Sequence, residues 1–587
     1  MNAEEITLRK FFNGNSYRIP YYQRSYVWKE KQWERFLSDM VAVARMNKAY
    51  FLGTVILKEV PSSPASGPEF IVIDGQQRLT TLLVFYKTLS LKMKKPGIFD
   101  NFFTNSINEE SSERELMFQH NHIDDEAFKW VTSLETLRNW NVDDGEIEKA
   151  QLPRIIELYY YFKGKIDVAE FEEEKWREVL NKLKFIDITL GQDEDEQQIF
   201  DTINSLGVRL TTTELLKNYF FDEKNEDAYK RLWKSVFEKD AEQKDYWDYE
   251  VAGGSEKTPL SDLFFAAFLG IKMHDPKYRL TSEQRKAYGK ISSLFNSYKD
   301  FVNLYLKGDR LGLMEEIHDY AVLFQKKFKP DCARDQIPSD PCFERINLMI
   351  FAQGWSTMLP YVLYVVKNVK DGEEQNRIFN VLESYIMRRL VSGFDTRVYY
   401  SLFSDRLLDE SCLTAKGLMS FFVGNGHEVG YVMPTDDEVL KGARSQKLVN
   451  REGKAVLYML ESRLMKKDNA TTLKEFGVYT LEHLMPRKWQ QNWRLDPFDD
   501  ERVLMRNKAI LTIGNFAILP GALNTKVSNG SWHDKVNGKN GLPGLREKAA
   551  GLAMLNRYLD LKEWDEEQIS NRAKDIAEKI SEVWPGK

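Results

Sequence analysis

The stretch 481–493, LEHLMPRKWQQNW, opens on an acidic-histidine pair, Glu482-His483. Downstream, 513–529 reads IGNFAILPGALNTKVSN and supplies Asn515, Asn524 and Lys526. These residue types suit phosphodiester hydrolysis, which needs a base for water and a cation to hold the leaving oxygen. A single imidazole, His483, can be the base. A hard cation, Mg²⁺ or Mn²⁺, can be held by a carboxylate and an amide oxygen, here Glu482 and Asn524. Asn515 can pin the backbone so that His483 points at the phosphate. A Glu-His dipeptide alone is more often a surface pair or a satisfied histidine; the ordered set carries the reading. His533 lies outside the pattern and reads as structural.

A second cluster lies near the N-terminus. The run 70–81, FIVIDGQQRLTT, passes from a strand-like stretch through Asp74-Gly75 into Gln76, Gln77 and Arg78. Helix-start N–H groups and a guanidinium favour an anion such as a triphosphate. The glutamines can position water or bond ribose and phosphate oxygens, and Asp74 can meet Mg²⁺ through water. An Arg78–Asp74 structural pair is an equal alternative. Upstream, 19–28 reads IPYYQRSYVW, with Gln23 and Arg24 among aromatics that suit a base or a phosphate. A third stretch, 200–218, FDTINSLGVRLTTTELLKN, contains Asn204. No GxxxxGK[ST] loop occurs. The acids 193–196, DEDE, read as helix-start charge. His120 and His122, in QHNHIDDE, read as a solvated loop.

The C-terminal set resembles the HNH, or His-Me finger, nuclease motif. The resemblance implies a ββα shape. It makes His483 the general base, Glu482 and Asn524 metal ligands and Asn515 structural, and it puts Lys526 near the phosphate. The chain departs from many such enzymes in having Glu before the His and in lacking flanking cysteines. The three N-terminal stretches resemble the N-terminal domain of GmrSD-type modification-dependent (type IV) restriction enzymes, which is related to ParB-like nucleotide-binding proteins. That resemblance implies binding and hydrolysis of a nucleoside triphosphate (GTP, ATP or another) at Gln23, Arg24, Asp74–Arg78 and Asn204. It also implies cleavage of modified double-stranded phage DNA, such as glucosylated hydroxymethylcytosine or phosphorothioated DNA. A second reading stays open: a nucleotide-switched DNA-binding or interaction protein with a vestigial nuclease site.

These residues need elements to hold them. Strands are expected at 50–57 and 70–73, separated by a Pro/Ser/Gly loop at 61–68. Leu79, Leu82, Leu83, Tyr86 and Met93 follow helical spacing, so Asp74–Arg78 falls at a strand-to-helix junction. From about 105 to 430 the chain reads mostly helical, including 193–221 and 373–389. After a break at 421–430 come a helix near 455–467, short strands and loops, and a charged helix over 566–583. With 587 residues, one core is too few. The expected domains are a ParB-like α/β sensor (1–225), a helical middle (226–430) and an HNH-type nuclease (431–587), together a predominantly helical multidomain α+β fold. A hydrophobic fraction of 42% and a net charge of −6 argue for a folded protein that does not coat nucleic acid by bulk charge. Locally, 481–550 carries 11 Lys/Arg against 7 Asp/Glu. Three cysteines without a CxxC, no signal-like N-terminus and no apolar run of bilayer length predict a cytoplasmic protein with no membrane partner. A homodimer suits a nuclease acting on two strands.

Overall fold

Three consecutive buried residues, Ile71, Val72 and Ile73, make the strand Glu69–Asp74 apolar on both faces. Such a strand belongs inside a sheet covered on both sides. In the computed structural model it does: a six-stranded mixed sheet runs Asn2–Thr7, Leu183–Leu190, Tyr50–Val60, Glu69–Asp74, Ser16–Arg18, Phe118–Gln119. The structure describes all residues except 1, 47, 61–66, 107–113, 134–151, 173, 192–210, 223, 254–255, 410–411, 425–428, 466–472, 496–498, 522–528, 540 and 549–550. The chain divides into two units, Met1–Arg231 and Leu232–Lys587. It is mixed α+β and predominantly helical, with the sheet in the first unit.

From 105 to 430 the described residues are mostly helical, as the sequence reads. Within that span Leu183–Leu190 is a strand the sequence reading does not name, antiparallel to Asn2–Thr7 and parallel to Tyr50–Val60. Its sequence, LKFIDITL, is β-branched and aromatic at several positions, but its partners lie far away in sequence. Glu69–Asp74 ends at Gly75, whose φ of +102° suits glycine. A Cβ there would meet Val55 Cγ2 at 3.0 Å. The helix Gln76–Met93 follows, buried on nearly all sides from Gln76 to Ser90. It is a core helix, packed on Arg154–Lys165 with Phe85 against Phe162. The helix Thr212–Phe220 starts with a Thr211/Glu214 capping box. The rest of the helix expected from 193, with the acids 193–196, lies outside the described residues.

The second unit is mainly helices, including Gly372–Ser392, Asn450–Leu464 and Glu566–Val583. They are bolted by a buried ion pair: Arg345 to Glu383, at 2.6 Å, with Trp584 Nε1 donating to the same carboxylate at 2.8 Å. Within this unit, Tyr479–His483 and Phe516–Pro520 form an antiparallel pair, with His483 opposite Phe516 and Glu482 opposite Ala517. The short helix Trp532–Asn537 follows. Among the described residues no helix is long and apolar enough to cross a membrane.

Candidate functional site

His483 is the last residue of its strand, half-buried, with its ring edge against Phe516 at 4.9 Å between centroids. Arg487 Nε donates to its Nε2 at 3.3 Å, so Nε2 carries the lone pair and the neutral ring holds its proton on Nδ1. Burial, then the Arg487 and Lys535 charges, bring the imidazole down to about 4. At neutral pH the group is an unprotonated base.

Two buried side chains fix the backbone on either side of it. Asn515, 0% exposed, donates from Nδ2 to Met485 O (2.8 Å) and Ile510 O (3.0 Å). Its Oδ1 accepts from Met485 N (2.8 Å) and Trp564 Nε1 (3.1 Å). Every hydrogen-bonding position of that amide is engaged, so Asn515 is a positioning residue and not a phosphate ligand. Lys535, also 0% exposed, donates to His483 O at 2.8 Å and pairs with Glu482 Oε1. Burial raises Glu482 and lowers Lys535, while each partner's charge opposes that shift.

Lys535 is the residue that reading the sequence missed. The signal was present: Trp532, Lys535 and Val536 share one helical face, which places a lysine at a core position. The pairing bears on the expected metal. Glu482 is engaged by an ammonium, and Asn524 and Lys526 lie outside the described residues. Among the described residues no group of three His, Cys, Asp or Glu could hold a metal. These residues therefore do not by themselves fit a divalent ion. His533 is exposed on its helix and is not a core histidine.

In the first unit the N-terminal stretches meet. Gln77 Oε1 accepts from Val27 N at 2.8 Å, and its Nε2 donates to Ser25 O at 3.2 Å. Gln76 Nε2 donates to Arg24 O at 3.3 Å, and Gln23 Nε2 to Ile73 O at 3.1 Å. The glutamines thus splice residues 23–27 onto the strand-to-helix junction. Arg24 pairs with Glu214 at 3.7 Å, bringing in the third stretch. Asn204 lies outside the described residues. Arg78 bonds Thr54 O and stands 3.4 Å from Asp74. Two features suit a ligand here. Among the described residues the helix N-terminus has no side-chain cap and Gln76 Oε1 is buried without a partner.

The stretch read as a solvated loop is corrected. His120 is buried and held down to about 3 by desolvation. Asn121 N donates to its Nδ1 (3.1 Å), so the proton sits on Nε2, facing Thr80 Oγ1 at 3.0 Å. Asn121 Nδ2 donates to Gln23 O (3.1 Å) and Arg24 O (3.2 Å), and Asp124 accepts from Tyr26 N (2.6 Å). These polar residues are buried because they clamp the Gln23-Arg24 segment. His122 is exposed.

Comparison with known proteins follows the same division. Residues 8–221 match the family model of the GmrSD restriction endonuclease N-terminal domain, and residues 433–579 that of the C-terminal domain. An uncharacterized protein of Methanocaldococcus jannaschii is 24% identical over 298 residues, 44% of this chain and 47% of that protein. The match thus spans about half the length of that curated relative.

Proposed function

Since the chain belongs to the GmrSD restriction endonuclease family, we propose that it is a nucleotide-responsive type IV restriction endonuclease cutting modified double-stranded DNA with a His-Me finger. One observation carries the reading. His483 is a neutral imidazole at a strand end, its backbone fixed by Lys535 and Asn515, with a cation, Arg487, on its lone pair. A DNA phosphate is a better partner for Arg487 than an imidazole, because a charged acceptor strengthens the hydrogen bond. As the guanidinium turns to the phosphate, Nε2 is uncovered. It then takes the proton of the water that attacks phosphorus, while the bond from phosphorus to the leaving sugar oxygen breaks. The divalent ion expected from the resemblance, Mg²⁺ or Mn²⁺, would have to take Glu482 from Lys535.

At the other site the proposed ligand is a nucleoside triphosphate. The uncapped first-turn N–H groups and Arg78 would meet its phosphates, and Gln76 Oε1 would accept from a hydroxyl or amino group. Asp74 would meet Mg²⁺ through water. A homodimer, testable by sedimentation, would present two nuclease sites.

The test is nicking of a panel of modified and unmodified phage DNAs, with and without each NTP and each metal. His483→Ala should cut nothing that the wild type cuts, and equal rates would refute the base assignment. Arg78→Ala should abolish nucleotide hydrolysis with the fold intact, and unchanged hydrolysis would move that site elsewhere. The engagement of Glu482 by Lys535 favours one second reading, a DNA-binding protein with a vestigial nuclease site. DNA binding without cleavage under every condition would select it.

A further inference from the structure

Glu482 and His483 close the strand Tyr479–His483, and one buried ammonium bonds to both. Lys535, on the Trp532–Asn537 helix, pairs with Glu482 Oε1 and donates to His483 O at 2.8 Å. The charges around this pair are lopsided. Among the described residues Lys535 is the one side chain whose charge acts strongly on Glu482. The charges acting on His483 are Arg487 and Lys535, both cationic. The other acid on the helix, Asp534, is paired with Lys539 at 3.0 Å. One carboxylate thus faces two cations around a neutral imidazole, and the described site is net positive before any ion arrives.

That balance is wrong for a dication. Glu482 has a second oxygen, but an ion there would face a buried ammonium across a single carboxylate. Water screens charges little in such a setting, and a carboxylate that is already neutralised attracts the ion weakly. Displacing the ammonium is no easier. Trp532 and Val536 hold the same helix in the core, so Lys535 without Glu482 would be a buried, unpaired cation. We propose that Lys535 is the resting cation of the nuclease site, holding Glu482 and keeping a divalent ion off it in the free protein. This deepens the His-Me finger reading, on which it rests for what the site does. The negative charge that the free site lacks is the charge a DNA phosphate carries.

The experiment is a Mn²⁺ titration of the full chain without DNA, free ion read by electron paramagnetic resonance. It compares wild type, Glu482→Gln, Lys535→Met and Glu482→Gln/Lys535→Met. Wild type and Glu482→Gln should bind the same number of ions with the same affinity, so that ions held elsewhere cancel. Lys535→Met should gain one site, at least tenfold tighter than any Glu482-dependent binding in the wild type, and the double variant should lose it. Wild-type binding that Glu482→Gln abolishes, or a folded Lys535→Met without a new site, overturns the proposal. Should Lys535→Met fold poorly, the wild type alone decides, with its seven histidines ¹³C-labelled. The His483 ring signal, assigned by its loss in His483→Ala, should keep its linewidth as Mn²⁺ is added, and its disappearance at one equivalent overturns the proposal. None of these arms needs DNA or cleavage. A failure here leaves the nuclease reading standing, and a chain that cuts no DNA would remove that reading without changing the metal result.

Discussion

Replacing Lys535 by Met leaves the Glu482 carboxylate buried without its cation and the His483 carbonyl without a donor. Breaking a buried ion pair from one side costs about 3–5 kcal/mol, and the lost carbonyl bond about 1 kcal/mol more. The first figure has a ceiling, because Glu482 can take up a proton. From an ordinary value of 4.5, protonation costs about 1.4 kcal/mol per pH unit, roughly 3.4 kcal/mol at pH 7 and 1.4 at pH 5.5. The sign follows: the variant's folded state holds a proton that the unfolded chain releases above pH 4.5, so its deficit grows as pH rises. Hydrogen exchange of the full chain, read at 479–483 and 516–520, measures this locally. Protection should fall by about 3–4 kcal/mol at pH 7 and by about 2 kcal/mol less at pH 5.5. Glu482→Gln/Lys535→Met should recover most of the loss and remove its pH dependence. A Lys535→Met loss under 1 kcal/mol at pH 7, or one that does not change with pH, would refute the buried-pair argument.

Arg487→Met removes one of the charges that lower His483, so the imidazole should titrate above 4 in an NMR pH series; an unchanged midpoint would show that the guanidinium is not on the ring. Gln77→Ala strips partners from Val27 N and Ser25 O and should destabilise the first unit by about 1–3 kcal/mol, seen as faster exchange at 23–28. His120, held down to about 3, contributes stability that is full above pH 6.5 and is lost as pH falls toward 3. The wild type should therefore lose about 1.4 kcal/mol per pH unit relative to His120→Gln across that window, measured by paired melts.

The junction at Asp74–Arg78 was legible because an apolar run changes period at a glycine, and Gly75 indeed adopts positive φ. The helices at 372–392 and 566–583 were legible from their spacing. What the glutamines do was not, because their partners are backbone atoms about fifty residues upstream. His120, Asn121 and Asp124 look like a solvated loop for the same reason, since only the Gln23-Arg24 segment they clamp makes their burial affordable. Leu183–Leu190 alternates imperfectly, and its identity as a strand rests on long-range pairing. Lys535 was hidden by its type: a lysine on a buried face makes sense only once Glu482, 53 residues earlier, is beside it.

The central claim is that His483 supplies the base. Single-turnover nicking of modified DNA by His483→Gly, with and without added imidazole, addresses it most directly. The account predicts loss of nicking in the variant and partial return as imidazole rises, following the fraction of neutral imidazole with pH. Nicking by His483→Gly at the wild-type rate without imidazole would contradict it.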